Sequence, residues 1–192
     1  GKSHLYGELP DIPFVEKTDA DRLDTFEAKG ISYVHPETGR GVRDIDLDLE
    51  RGTFTVVTGR IGSGKTTLLR TLLGWLPQQA GEIRWNGTIV AEPEAFMIPP
   101  RCVYTSQVPR LFSEQLRTNI LMGLPEGRVD LPHAVNSAVL ERDVLEDGLD
   151  TVVGPRGTKL SGGQQRRSGA TRMFVREPEL LVLDDLSSGL DV

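Results

Sequence analysis

From Thr25 onward the chain runs in short apolar stretches separated by polar and glycine-rich breaks. Thr25-Phe26-Glu27-Ala28 and Ile31-Ser32-Tyr33-Val34 read as two short strands. Ile45-Asp46-Leu47-Asp48-Leu49 has the period of two expected of a half-buried strand. Thr53-Phe54-Thr55-Val56-Val57-Thr58 is β-branched and apolar, which predicts a more deeply buried strand. After a glycine-rich turn, Lys65 to Leu73 places Leu68, Leu69, Leu72 and Leu73 on one helix face. Gly81 to Gly87 predicts a strand ending in an Asn-Gly turn, and Arg101 to Thr105 another short strand. From about Pro109 to Arg176 the pattern is mostly helical, with Pro132 suited to a first helical turn. Leu180-Leu181-Val182-Leu183 predicts a central parallel strand buried on both faces, and it ends in Asp184-Asp185.

Residues 1–24 differ: they are polar and punctuated by Pro10, Pro13, Asp19 and Asp21, so they read as a linker or arm. A length of 192 residues suits one domain with an inserted lobe, and no internal repeat divides it. With 38% hydrophobic and 26% charged residues the composition is that of a folded domain, not a disordered one. The net charge of −6, with no basic run, argues against broad nucleic-acid binding. A nucleotide needs only one local positive site. The single cysteine, Cys102, rules out an internal disulfide and fits a reducing compartment. No apolar run of about 18 residues exists to cross a bilayer. The chain begins at Gly1 with no signal-peptide core, which suggests an excised piece of a longer protein.

The sharpest chemical signal is Gly59-Arg60-Ile61-Gly62-Ser63-Gly64-Lys65-Thr66, a G-x-x-x-x-G-K-[ST] loop between a strand and a helix. Glycines let the backbone fold so tightly that its N–H groups point inward at phosphate oxygens. The helix that starts there adds its positive dipole end. Lys65 brings a full charge to the β- and γ-phosphates, and the Thr66 hydroxyl is a magnesium ligand candidate. Thr67 completes the nucleotide-binding stretch. A carboxylate at the end of an apolar strand is ordinary by itself. Behind a phosphate loop, Asp184 becomes a candidate for holding Mg²⁺ and Asp185 for polarising an attacking water.

Leu160-Ser161-Gly162-Gly163-Gln164 precedes a helical run. Ser161 can cap that helix while the glycines leave its N–H groups open, which makes a second anion site. The pentapeptide resembles the signature motif of ABC transporter ATP-binding domains, and it lies between the phosphate loop and the acidic strand as in that family. Gln107 in Thr105-Ser106-Gln107-Val108-Pro109 looks like the family's Q-loop glutamine, with a catalytic and magnesium-contacting role. Ser188-Gly189-Leu190-Asp191 looks like its D-loop, which adds Asp191 to the nucleotide-facing residues. Leu111 to Ile120 and Gly154-Pro155-Arg156-Gly157 are similar to segments of exporter-type members.

The resemblance covers residues 25–192. It implies an α/β P-loop NTPase (RecA-like) core with an antiparallel β edge and an inserted helical subdomain at about 109–168. It further implies ATP and Mg²⁺ as ligands, ATP hydrolysis, and a head-to-tail dimer with a second ABC ATP-binding domain. There Ser161, Gly162, Gly163 and Gln164 serve the nucleotide held by the partner. Residues 1–24 would lead from a transmembrane domain on the same chain, at the cytoplasmic face of a membrane, and no nucleic acid is expected as a partner. The function this resemblance implies is powering substrate export across a membrane, ATP closing the dimer and hydrolysis reopening it; readings as a soluble ABC protein acting on DNA or ribosomes, or as a gating module that holds ATP without turnover, compete with it.

Three departures qualify the resemblance. The family usually has Glu where this chain has Asp185, one methylene shorter, and a misplacement of about 1 Å can cost roughly 10²-fold in rate. This suggests the weaker site of a heterodimer. The adenine usually stacks on an aromatic, where alignment on Pro36 puts His35, with Tyr33 two residues earlier on the same strand face. The family's switch histidine lies beyond Val192, while His4 and His133 match no motif and read as surface residues.

Overall fold

The computed structural model describes residues 14–143 and 147–184. The described residues fall into two compact units, 17–109 with 176–184, and 14–16 with 110–175.

The first unit holds both sheets. Strands β1 (Thr25–Val34), β2 (Gly41–Glu50), β3 (Ala80–Trp85) and β4 (Thr88–Ile89) form an antiparallel sheet in the order β2-β1-β3-β4. The two strands expected before Pro36 are one. The polar gap at Lys29-Gly30 is a bulge, with Gly30 at φ 62° and the β1–β2 register shifting between Ala28 and Ile31. The expected Asn-Gly turn joins β3 to β4, with Asn86 at φ 51° and Gly87 at φ 77°. Asn86 also ties down the start of β1, because its side-chain oxygen accepts from the Asp24 and Thr25 amides at 2.7 and 2.9 Å.

Helix α1 (Lys65–Leu72) packs Leu68 and Leu72 onto Phe26, Ala28 and Ile31 of β1 and Ile83 of β3. Fully burying each such aliphatic side chain contributes about 1.5–3 kcal/mol. The helix stops at Gly74 (φ 76°), whose amide bonds the Thr71 carbonyl, while the Trp75 amide bonds that of Arg70. A Cβ at Gly74 would lie 2.2 Å from the Glu94 amide nitrogen of the short helix α2 (Pro93–Phe96). Strands β5 (Cys102–Thr105) and β6 (Leu180–Leu183) pair in parallel, Thr105 opposite Leu183.

Two further expectations fail in this unit. Residues 53–58 form no strand, and Phe54 is 84% and Val56 63% exposed. Leu180–Leu183 is a parallel strand but is not buried on both faces, since Leu181 is 39% exposed. The cause is common to both: among the described residues β6 pairs with β5 alone, and no strand pairs with 53–58. A β-branched apolar run becomes a strand only where another strand takes its hydrogen bonds.

The second unit is helical: α3 (Leu116–Leu121), α4 (Leu131–Ser137) and α5 (Gly162–Phe174), linked by 3₁₀ turns. Leu116, Ile120, Leu131, Val135, Val153 and Leu160 anchor its own core. Pro132 does occupy the first turn of α4, where Asp130 caps the His133 amide at 2.9 Å and His133 itself is exposed. The polar hub is Asn119, 1% exposed, whose side chain exchanges hydrogen bonds with both the amide (2.7 Å) and the carbonyl (3.0 Å) of Phe112. Arg172 of α5 donates to the Asn119 carbonyl at 2.8 Å, locking α3 to α5.

Candidate functional site: a phosphate loop and its acidic wall

The loop at residues 59–64 leads into α1, with the Ser63 amide bonded to the Arg60 carbonyl at 3.1 Å. Gly62 (φ 81°) and Gly64 (φ 97°) take left-handed conformations that L side chains rarely adopt. At Gly64 a Cβ would also lie 2.8 Å from Val42 Cγ1 and 3.2 Å from the Gly41 carbonyl oxygen of β2. At Gly62 it would meet nothing within 4 Å, so that side of the loop is open. The Lys65 ammonium folds back into the loop and donates to the Gly59 and Arg60 carbonyls at 2.8 and 3.2 Å. An ammonium held this way carries its charge at the loop's centre, where phosphate oxygens can replace two weak acceptors.

One residue on, Thr66 turns toward β6. Its hydroxyl lies 3.1 and 3.0 Å from the two Asp184 carboxylate oxygens. The β5–β6 register places Asp184 there, its amide bonded to the Thr105 carbonyl at 3.0 Å. Gln107 leaves the same end of β5 two residues past Thr105 and is exposed. Tyr104 of β5 also reaches Asp184, its hydroxyl donating to the carboxylate at 3.0 Å. Burial, then the hydrogen bond to Asp184 and its charge, push the Tyr104 phenol up to about 12, against a smaller pull from Arg70. It is therefore a protonated donor at neutral pH. Burial likewise pushes the Cys102 thiol up to about 12, which leaves it inert.

A hydroxyl and a carboxylate on one wall are a hard-oxygen donor pair. Magnesium takes one or two such groups plus phosphates and waters, whereas a protein-only metal cage needs more. No group of three or more His, Cys, Asp or Glu converges to hold a metal among the described residues. The donors therefore fit a magnesium ion that arrives with a phosphate ligand.

His35 follows β1 and its Nε2 lies 3.5 Å from Thr67 Oγ1 of α1. Tyr33 and His35 stand edge to face, ring centroids 4.9 Å apart, on one side of the strand. Tyr33 is only 8% exposed and packs as core, whereas His35 is half-buried beside the loop. Ser161, Gly162, Gly163 and Gln164 belong to the helical unit, at the start of α5. There Ser161 Oγ accepts from the Gln164 amide at 3.2 Å and Gln164 Oε1 from the Ser161 amide at 2.8 Å, a reciprocal cap. Asp185 and Asp191 lie outside the described residues. Tyr104, which belongs to none of the sequence motifs, is the site residue that only the structure brings forward.

Compared with known families, residues 42–188 match the one described as ABC transporter. The chain belongs to the ABC transporter family. Its fold is that of the family's P-loop ATP-binding domain, a mixed α/β structure with an antiparallel sheet. Among curated ABC proteins it is 35% identical over 166 residues to the uncharacterized ABC transporter ATP-binding protein YwjA of Bacillus subtilis, covering 85% of this chain and 29% of that one. It is 33% identical over 165 residues to the probable multidrug resistance ABC transporter ATP-binding/permease protein YheI of the same species, covering 84% and 28%. A solved structure of a bacterial Atm1-family ABC exporter with ATP bound shares the fold at a TM-score of 0.76 and 22% identity, over 97% of this chain and 32% of that one. The ABC chain described here thus spans less than a third of the length of each. No helix among its described residues is long and apolar enough to cross a membrane.

Proposed function

We propose that this chain is the ATP-binding and ATP-hydrolysing part of an ABC exporter. The observation that carries the reading is the Thr66–Asp184 pair at 3.0–3.1 Å beside the lysine-filled loop. Backbone amides from Gly59 to Thr67 bind the phosphates, Lys65 neutralises the β- and γ-phosphate oxygens, and His35 presents its ring to the adenine. Magnesium, when bound, offsets charge shared between those phosphates. Thr66 and Asp184 offer it oxygens, and Gln107, at the same sheet end, is placed to join them. Asp185 orients the attacking water.

In a head-to-tail pair with a second ABC domain, Ser161, Gly162, Gly163, Gln164 and Asp191 face the partner's nucleotide. A helix N-terminus whose cap is already satisfied internally leaves its next amides for an anion. ATP closes this pair, with the domain at the cytoplasmic face, and the segments that cross the membrane and turn the closing into export stand on the same chain as residues 25–192 and their 1–24 arm, as in the ATP-binding/permease protein it resembles. The helical part at 109–168 carries the motion to them. Asp185 in place of Glu favours a second reading, a site that holds ATP and turns it over slowly while its Ser161 segment completes a faster site on a heterodimeric partner.

Mg-ATP affinity of the folded chain against Lys65→Ala tests the first claim, with at least a tenfold weakening expected for the variant. A folded chain with no Mg-ATP affinity refutes it. Phosphate release by the full transporter carrying Asp185→Glu tests the second: faster turnover at this site supports it, unchanged turnover removes it.

A further inference from the structure

Tyr104 is a half-buried phenol in a strand whose neighbours Cys102 and Val103 are apolar and buried. Its ring stands edge-on to Trp75, centroids 4.8 Å apart at 77°. Its hydroxyl donates to Asp184 Oδ2 at 3.0 Å, the oxygen that also accepts from Thr66 at 3.0 Å. The parallel register makes this contact: Tyr104 sits opposite Val182, and Asp184, two residues on, shares that face.

We propose that Tyr104 is a positioning residue for magnesium, holding the Asp184 carboxylate in its metal-facing orientation. The proposal rests on the Mg-ATP reading of the site. A carboxylate at a strand end is free to rotate unless something fixes it, and here two hydroxyls do. Only one of them is spared by the metal. A Thr66 hydroxyl that turns its lone pairs to a cation re-aims its bond to Asp184. The phenol, which Arg70 also approaches, is not one of the metal's candidate ligands and need not turn when the cation arrives. Groups that orient a metal's ligands commonly change metal affinity by 10–100-fold when removed.

The test is a Mg²⁺ titration of ATP affinity in the full chain, read by displacement of a fluorescent ATP analogue, with an EDTA arm for metal-free ATP. Tyr104→Phe keeps the ring against Trp75 and removes only the hydroxyl. The expected result is an unchanged affinity for metal-free ATP and a Mg²⁺ midpoint raised about tenfold. Trp75→Phe, which keeps the hydroxyl, should leave the midpoint in place. Equal midpoints for Tyr104→Phe and the unaltered chain overturn the role while leaving the nucleotide site standing. Equal weakening with and without Mg²⁺ also overturns it, because it marks a packing effect. Failure of the unaltered chain to bind ATP at all overturns the site and this role together.

Discussion

Gly64 and Gly62 share one backbone requirement and differ in one steric fact, so a pair of alanine substitutions separates conformational strain from crowding. Both have left-handed φ, 97° and 81°. An L residue there costs roughly 1–2 kcal/mol, and the lower entropy of the unfolded alanine chain returns about 0.4–1 kcal/mol. Gly62→Ala, whose Cβ meets nothing within 4 Å, should stop near that net cost of about 1 kcal/mol. At Gly64 the Cβ would press on Val42 Cγ1 at 2.8 Å and the Gly41 carbonyl at 3.2 Å. Val42 is 7% exposed, and Gly41 is pinned because a Cβ there would fall 1.9 Å from the Tyr33 carbonyl oxygen. Neither neighbour can retreat cheaply, which adds an overpacking cost of about 1–3 kcal/mol.

Gly64→Ala should therefore lose about 2–4 kcal/mol in total. With a urea slope near 2 kcal/mol per M, its unfolding midpoint falls by about 1–2 M against about 0.5 M for Gly62→Ala. Urea unfolding followed by the fluorescence of Trp85, which is 4% exposed, measures both. ATP affinity should separate the pair in the opposite sense, because the Gly62 methyl projects into the open side of the loop without disturbing β2. Equal midpoint shifts for the two variants would refute the reasoning, since the only difference invoked is contact with β2.

Two further outcomes are expected. Asn119→Ala strands the Phe112 amide and the carbonyls its amide group serves, so the chain should lose about 2–4 kcal/mol by chemical unfolding. The exposed Asn136→Ala should cost under about 0.5 kcal/mol, and a comparable loss at both positions would sink the hub. Stability should also fall in acid through Glu179 and Asp21. Burial pushes Glu179 up, but hydrogen bonds from Lys17 and the Leu23 amide and the charges of Lys17 and Arg51 outweigh it and leave it below 4.5. For Asp21 burial is likewise outweighed, by hydrogen bonds from the Thr18 amide and hydroxyl and by Arg101 and Lys17, leaving it below 3.8. Carboxylates with depressed values stabilise the fold above their ordinary range, and that stability is lost as pH falls through the folded values. Glu179→Gln with Asp21→Asn should flatten the decline of urea midpoint below about pH 5, and an unchanged acid slope counts against these two groups.

What the chain's letters reveal depends on whether a position answers to local chemistry or to a distant partner. Gly62 and Gly64 are legible as a tight loop running into α1, because glycine accepts the left-handed backbone found there, and the β3–β4 turn because Asn86-Gly87 tolerates the backbone it must adopt. Ser161 and Gln164 are legible for the same reason, as a cap that closes within four residues. Gly30 is harder, since it breaks one pattern into what look like two strands, and only the pairing of β1 with both β2 and β3 shows a single bulged one. Residues 53–58 show the opposite error. Their composition records a capacity to pair, and pairing needs a second strand, which among the described residues none supplies. Tyr104 fails to stand out for a related reason. Its strand could be read from Arg101 to Thr105, but the contact that matters crosses to β6 and depends on Thr105 lying opposite Leu183. A polar aromatic inside an apolar strand was the available signal, because a phenol placed there must find an acceptor. That acceptor proves to be the Asp184 carboxylate, which also takes the Thr66 hydroxyl, so a residue that matches no motif is bound to one that draws notice only through the loop before it.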